Sequence, residues 1–407
     1  MRTRILLSGV VAAAAALVLL FGGVLDHGSQ AAVPAALRGA EATRLAVLGL
    51  AFQQRARETG DPTFYPRSED ALRRAKELDP KNPVTITGLA ALAASRHRFE
   101  DAQRLAERAH EIAPANAGAL GILGDSAVEL GRYRQAFAAF DRMAALKPNL
   151  ASYSRVSYAR ELLSDTRGAV AAMTQAVEAG EGTQEPLAWT LVQLGNLYFD
   201  SGRLRPAARA YRRALSVFPG YVHAEAALGR VAAARGRYSL AIRLYQRAVD
   251  RLPLPQYAGA LGDVLRLAGR DQEAQRAYGT VAVIERLLRA NGVRTELETA
   301  LFDLDHGRRL ADALSRAQIA YATRKSIDGE DVLAWALYKN GRCADARQHS
   351  IRALRLGTRD ALKIFHRGMI ELCLRHEAAG RGFFAHALAI NPHFSLIYVP
   401  IARRALR

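Results

Sequence analysis

The sequence predicts an all-α solenoid built from about ten helical hairpins. Two observations carry this. Prolines that follow an apolar helix end stand at Pro80, Pro114, Pro148, Pro219, Pro253 and Pro392, with steps of 34, 34, 71, 34 and 139 residues. The long steps are two and four periods with three residues over, so one lattice of 34 fits all six. Each interval also holds two stretches with helical periodicity, separated by a glycine or polar break. In 188–221, Leu191, Leu194, Gly195 and Tyr198 fall on one helix face, Ser201-Gly202 break it, and Ala207, Tyr211, Ala214 and Phe218 form a second face before Pro219. Gly195 and Ala207 are small where two antiparallel helices must approach closely. Such a hairpin buries only part of its apolar surface alone and must stack on its neighbours.

Taken in order, residues 1–34 stand apart. Arg2 and Arg4 precede an uncharged run from Ile5 to Leu25, and Asp26 closes it. Those 21 residues would span about 30 Å as a helix, enough for a bilayer core. Ser29-Gln30-Ala31 also offers small residues for cleavage after Ala31. A signal-anchor helix and a cleaved signal peptide are both expected readings. Either places the bulk of the chain outside the cytoplasm, membrane-anchored or secreted. Residues 35–82 read as a divergent first repeat, with the stretch Gly60 to Pro66 as an inserted loop. Residues 83–392 carry the repeating pattern. Leu123-Gly124, Ala136 and Phe140, then Leu228-Gly229, Ala241 and Tyr245, then Leu261-Gly262, Ala274 and Tyr278 repeat the pattern of 188–221. Residues 393–407, with Arg403, Arg404 and Arg407, read as a capping segment.

The recurrence of these small and aromatic residues at fixed offsets resembles the tetratricopeptide repeat family. The resemblance covers about 83–392 well and 41–82 loosely. It implies a right-handed α-solenoid whose first helices line a concave face that grips protein or peptide partners. Transferred onto this chain, the family's groove offsets give Trp189, Val192, Asn196, Phe199 and Asp200 in one unit. The ninth offset in later units gives Arg230, Asp263, Phe302, Trp335 and Met369. Trp189, Asn196, Phe199, Arg230, Asp263 and Trp335 are therefore the candidate partner-binding residues. Core packing is the competing reading for Phe302, Trp335 and Met369. The family's peptide-end clamp needs several Lys, Arg and Asn positions at once, and Asn196 stands nearly alone.

No catalytic residues and no cofactor are expected. His376-Glu377 starts like a zinc-protease helix, but Gly380 occupies the second histidine's place. His366, His376 and His386 recur every ten residues, which does not superpose them on a helix, so no metal site is expected. No phosphate loop, dinucleotide fingerprint or nucleophile elbow occurs. Two cysteines exclude a disulfide-dense scaffold or a four-thiolate metal site. Cys343 and Cys373 are equidistant from a turn near 358, so two antiparallel helices would bring them level. An exported chain could oxidise them to a disulfide; two small buried thiols are the alternative.

The charge balance is 57 basic to 39 acidic residues, a net charge of +18. Between 203 and 251 there are eleven arginines and two acids. Arg209, Arg213, Arg243 and Arg247 fall on second helices, where an outward basic patch could touch an anionic surface; a solvated outer face is the plainer reading. The leading expectation is a non-catalytic scaffold or adaptor of the cell envelope. The alternatives are a substrate-recruiting arm of an enzyme complex, and a cytoplasmic nucleic-acid-binding regulator that uses the arginines.

Overall fold

Helix starts are fixed by residues that satisfy otherwise orphaned amides. In the computed structural model, which describes residues 35–407 except 181 and 183, Asn82 Oδ1 accepts from the amides of Val84 and Thr85, both at 3.1 Å. Asn116 accepts from Ala119, and Asn149 and Ser152 form a reciprocal capping box. The same caps join neighbouring repeats. Asn82 Nδ2 donates to Thr43 at 3.0 Å and Asn116 Nδ2 to Thr87 at 2.8 Å, each on the first helix of the preceding hairpin.

The described residues form twenty-one helices and no strand. They pair as ten hairpins: α1 (Ala35–Thr59) with α2 (Phe64–Leu78), α3 (Pro83–Ser95) with α4 (Phe99–Ile112), α5 (Ala117–Glu129) with α6 (Tyr133–Leu146), α7 (Leu150–Leu162) with α8 (Thr166–Glu178), and α9 (Gln184–Asp200) with α10 (Leu204–Val217). Then follow α11 (Val222–Ala234) with α12 (Tyr238–Arg251), α13 (Pro255–Leu267) with α14 (Asp271–Ala290), α15 (Glu296–Asp305) with α16 (Leu310–Thr323), α17 (Ile327–Lys339) with α18 (Cys343–Ala353), and α19 (Ala361–Cys373) with α20 (Glu377–Ile390). A short α21 (Val399–Ala405) ends the chain. The all-α solenoid of ten hairpins is thus the observed architecture.

Each hairpin turn leaves its first helix through a residue in the left-handed region, and the eighth adds a second, Arg309. The first such residue is glycine at 60, 131, 202, 236, 269, 307 and 341, and His97, Ser164 and Arg375 in the other three. Inside the hairpin, close approach makes the second demand for glycine. A Cβ on Gly195 would lie 2.2 Å from the Tyr211 ring, and one on Gly124 would lie 2.2 Å from that of Phe140. Tyr211 and Phe140 are fully buried, so each aromatic fills the space its partner glycine leaves.

The solenoid winds tightly enough for successive turns to touch. Gly60 abuts Leu252; the Arg294 amide donates to Arg96 O at 3.2 Å; the Ile327 amide donates to Tyr133 Oη at 2.6 Å. Thr358 Oγ1 donates to Leu162 O at 2.6 Å, and Pro392 packs on Gly202. Each contact joins positions 190 to 198 residues apart, so about six hairpins complete one turn. Arg324 is the charged element of this seam. It bridges Glu129 at 3.1 Å and Glu298 at 2.7 Å with its own side chain only 11% exposed.

Two expectations change in detail, and a third falls outside the described residues. The surplus of the first repeat does not form a seven-residue loop, because α1 runs on to Thr59 and Pro66 lies in the first turn of α2, where a missing amide costs nothing. The terminal segment does more than cap, since it folds back among earlier hairpins, as described below. The apolar run Ile5 to Leu25 lies outside the described residues, and no helix among those described is long and apolar enough to cross a membrane.

Candidate partner-binding groove

In the fifth and seventh hairpins the ninth position of the first helix faces the tyrosine of its own second helix, and this decides its side chain. Asn196 Oδ1 accepts from Tyr211 Oη at 2.8 Å, and Asp263 accepts from Tyr278 Oη at 2.8 Å. Asp263 also meets His306 Nε2 at 2.7 Å. The aromatic that fills the glycine gap thus carries its hydroxyl through to the concave side, and the residue there satisfies it. Asn196 and Asp263 are accordingly engaged within and between hairpins rather than free.

Phe199 and Trp335 require correction as open contacts: each is 1% exposed. Phe199 lies beneath Arg230, whose guanidinium carbon sits 3.8 Å from the ring centroid while its Nη2 reaches Asp200 at 2.7 Å. Trp335 stacks on His366 with centroids 4.0 Å apart and donates Nε1 to Asp305 at 3.0 Å. A large apolar ring at the foot of a groove is desolvated by its neighbours, so the offset that made both residues candidates also buries them. Trp189, at 40% exposure, remains open to a partner, with Tyr158 one hairpin earlier similarly exposed at 36%.

Where α7, α9 and α11 look onto the starts of α17 and α19, a cavity of about 680 Å³ opens. Tyr158, Glu161, Asp200 and Arg230 line one side; Asp328, Asp360 and Lys363 line the other. Lys363 Nζ bonds Asp328 at 2.7 Å and also Asp360, which caps α19 through the amides of Leu362 and Lys363. Burial alone would pull the lysine pKa down, yet these carboxylates hold it well above its usual value. Burial lifts the Glu161 carboxyl to about 7, with Asp200, Asp360 and Asp328 adding to the effect. This wall is polar and charge-balanced, suited to a peptide's amides and side chains rather than to an apolar ligand. A second cavity of about 620 Å³ lies over Phe302, Asp305, His306 and Asp263, walled by Leu254, Leu288 and Val293. Half of the first cavity was hidden from sequence reasoning. Asp328, Asp360 and Lys363 arrive from the next superhelical turn, whereas Asp200 and Arg230 stand at groove offsets readable in the sequence.

The remaining expected residues fall as follows. Arg209, Arg213, Arg243 and Arg247 are exposed on α10 and α12. Of the four, Arg247 has an acidic partner, Glu225 at 3.6 Å. Cys343 and Cys373 are joined by a disulfide, with Cα atoms 6.1 Å apart. His366 is fully buried with Nδ1 3.0 Å from Asp331, and His376 Nδ1 lies 2.6 Å from Glu371, so these two histidines serve different carboxylates. No cluster of metal-ligating side chains occurs among the described residues.

Residues 87–151, 192–254 and 227–287 match the tetratricopeptide repeat family. No curated protein sequence matches the chain. Among solved structures, it is similar to a chain of the APC/C hetero-tetramer Cut9–Hcn1, at 17% identity, covering 98% of this chain and 81% of that one with a TM-score of 0.43. A thermophilic tetratricopeptide repeat protein of Thermus thermophilus is 20% identical over 50% of this chain and 99% of its own, with a TM-score of 0.41. Another tetratricopeptide repeat protein, from Parabacteroides merdae, is 12% identical over 71% and 98%, with a TM-score of 0.36. The matched segments fall on stacked hairpins with the glycine–aromatic pairing described above, and over those residues the chain is similar to the tetratricopeptide repeat family.

Proposed function

We propose that the chain is a non-catalytic scaffold of the cell envelope that holds a protein or peptide partner against the concave side of its superhelix. The observation that carries this reading is the cavity of about 680 Å³ lined by Tyr158, Glu161, Asp200 and Arg230, with Trp189 exposed on the same helix as Asp200. Tetratricopeptide repeats generally work by protein–protein contact, which supports it. The amino-terminal arginines and the apolar run after them support an envelope location, by retention in the membrane or release outside it. A photo-crosslinking residue at position 189 in the full chain tests the groove in cells. One or a few discrete adducts are expected there, and none from the same residue at position 213 on the outer face. An identical adduct pattern from both sites would refute the groove. Protease added to intact cells should degrade the repeats; protection until lysis would refute the location.

A second contact is supported by the outer arginines. Arg209, Arg213 and Arg243 are exposed without an ion-pair partner among the described residues. They favour docking to an anionic surface through field and counterion effects. Vesicles with anionic lipid should retain the protein at low salt. The variant R209E/R213E/R243E/R247E should lose that retention, and neutral vesicles should retain neither.

A further inference from the structure

After α20 the chain does not continue outward. Asn391 is buried, Pro392 turns against Gly202, and the following residues run back among earlier hairpins. The Phe394 ring lies 5.6 Å from Phe365. Leu396 packs on the core of α11–α14, around Val222, Leu261 and Leu265. Tyr398 stacks on Phe365 at 4.9 Å, meets Trp335 edge-on at 5.6 Å, and donates its hydroxyl to Asp305 Oδ1 at 2.8 Å. Trp335 and Asp305 stand at groove positions of their first helices, so the segment occupies the concave side of the last three hairpins.

Two features mark this occupant as replaceable. It is held by side chains: among the described residues, no backbone–backbone hydrogen bond joins 392–398 to α15, α17 or α19. Its own turn is closed by Ser395 Oγ, which accepts from the amides of Ile397 and Tyr398 at 3.2 Å. It also leaves a defect. His366, fully buried under Trp335, keeps Nε2 without a hydrogen-bond partner in the same aromatic cluster. A buried imidazole nitrogen in that state is a cost that a better-fitting occupant could remove.

We propose that residues 391–398 form an intramolecular pseudo-ligand, and that the groove's partner is a peptide presenting two aromatic side chains four residues apart, the second a tyrosine, which displaces it. The proposal rests on the groove reading above and names the partner's chemistry and its control. Phe365 and Trp335 select flat rings, and Asp305 selects a phenol over a plain phenyl ring, because without the hydroxyl a buried carboxylate loses one of its two donors. Tethering sets the strap's local concentration in the millimolar range, so a free peptide must overcome that occupancy.

The test uses a fluorescein-labelled peptide with the sequence of residues 391–400, titrated by anisotropy against the full chain and its F394A/Y398A variant. The variant should bind at least tenfold more tightly than the wild type. The peptide carrying Tyr398→Phe should bind the variant at least threefold more weakly than the unmodified peptide. Equal affinity for both proteins, no peptide binding to a variant that keeps wild-type helical circular dichroism, or indifference to the hydroxyl would overturn the proposal. If the variant does not fold, hydrogen exchange on the wild type decides. Amides of Ile397, Tyr398 and α21 should exchange at least tenfold faster than those of α19 and α20, and equal protection would sink the strap. A crosslink from position 189 alongside a failed peptide would remove this proposal and leave the scaffold reading standing.

Discussion

At the scale of single residues, the hairpin is a fit between an absent side chain and a ring. Gly195 and Tyr211 are the clearest case, because a Cβ there would already overlap the ring. Replacing Gly195 by leucine should therefore separate α9 from α10 and cost about 1–3 kcal/mol. A lowered urea midpoint checks this, whereas an unchanged midpoint would mean the two helices do not meet there. Glu161 gives a prediction in pH. Its carboxyl is lifted from 4.5 to about 7 by burial and by Asp200, Asp360 and Asp328, so the folded chain holds that proton more tightly than the unfolded chain. Its contribution is fully present below pH 4.5, declines as pH rises through about 7, and is flat above. The full shift corresponds to about 3 kcal/mol. Glu161→Gln should flatten that part of the profile. Urea unfolding of both proteins at pH 4.5 and pH 8 gives the comparison, and parallel profiles would mean that Glu161 is solvated.

At the scale of elements, the turn between paired helices asks for one left-handed residue, and three hairpins meet it without glycine. His97 and Ser164 have a reason. The His97 ring nitrogen lies 2.7 Å from Arg294 O, and Ser164 Oγ donates to Gly357 O, so both side chains belong to the seam between superhelical turns. Arg375 sits at φ 62° in the tenth hairpin, and nothing in the structure explains an arginine there. Arg375→Gly should raise stability by about 0.5–1 kcal/mol by relieving backbone strain, read as a higher thermal midpoint. The pattern of paired helices was plain in the sequence because each demand is local. Periodicity, the glycine break and the following proline all act within one unit. The first hairpin was misjudged because proline in a helix's first turn breaks nothing, so Gly60 to Pro66 looked like loop while α2 had already begun.

At the scale of the whole molecule, stability is not only a sum over neighbouring hairpins. The seam adds contacts between hairpins about six apart, and in it Arg324 pairs with acids of both turns. Arg324→Ala would leave Glu129 and Glu298 without their cation. The expected loss is about 2 kcal/mol, below the range for a fully enclosed pair because the Glu298 side chain is 43% exposed. Small-angle scattering should report a larger radius of gyration as the turns part. An unchanged radius with unchanged stability would show that the seam contributes nothing. Partner binding and winding are coupled in this architecture, because the cavity beside Glu161 exists only while α17 and α19 stay against α7 and α9.

The amino-acid sequence by itself determined the helices, their pairing, their number and the residues that let them approach, because each follows from neighbours within about 34 positions. It also put Cys343 and Cys373 at matching heights on antiparallel helices. Only the tertiary structure decided which groove positions stay open. The pitch of the superhelix is a small rotation repeated ten times, and no single unit encodes it. That accumulated rotation carries Asp328, Asp360 and Lys363 to the face of hairpins far earlier in the chain. It also brings Tyr398 onto Asp305 across 93 positions of sequence, while the packing of adjacent hairpins buries Phe199 under Arg230.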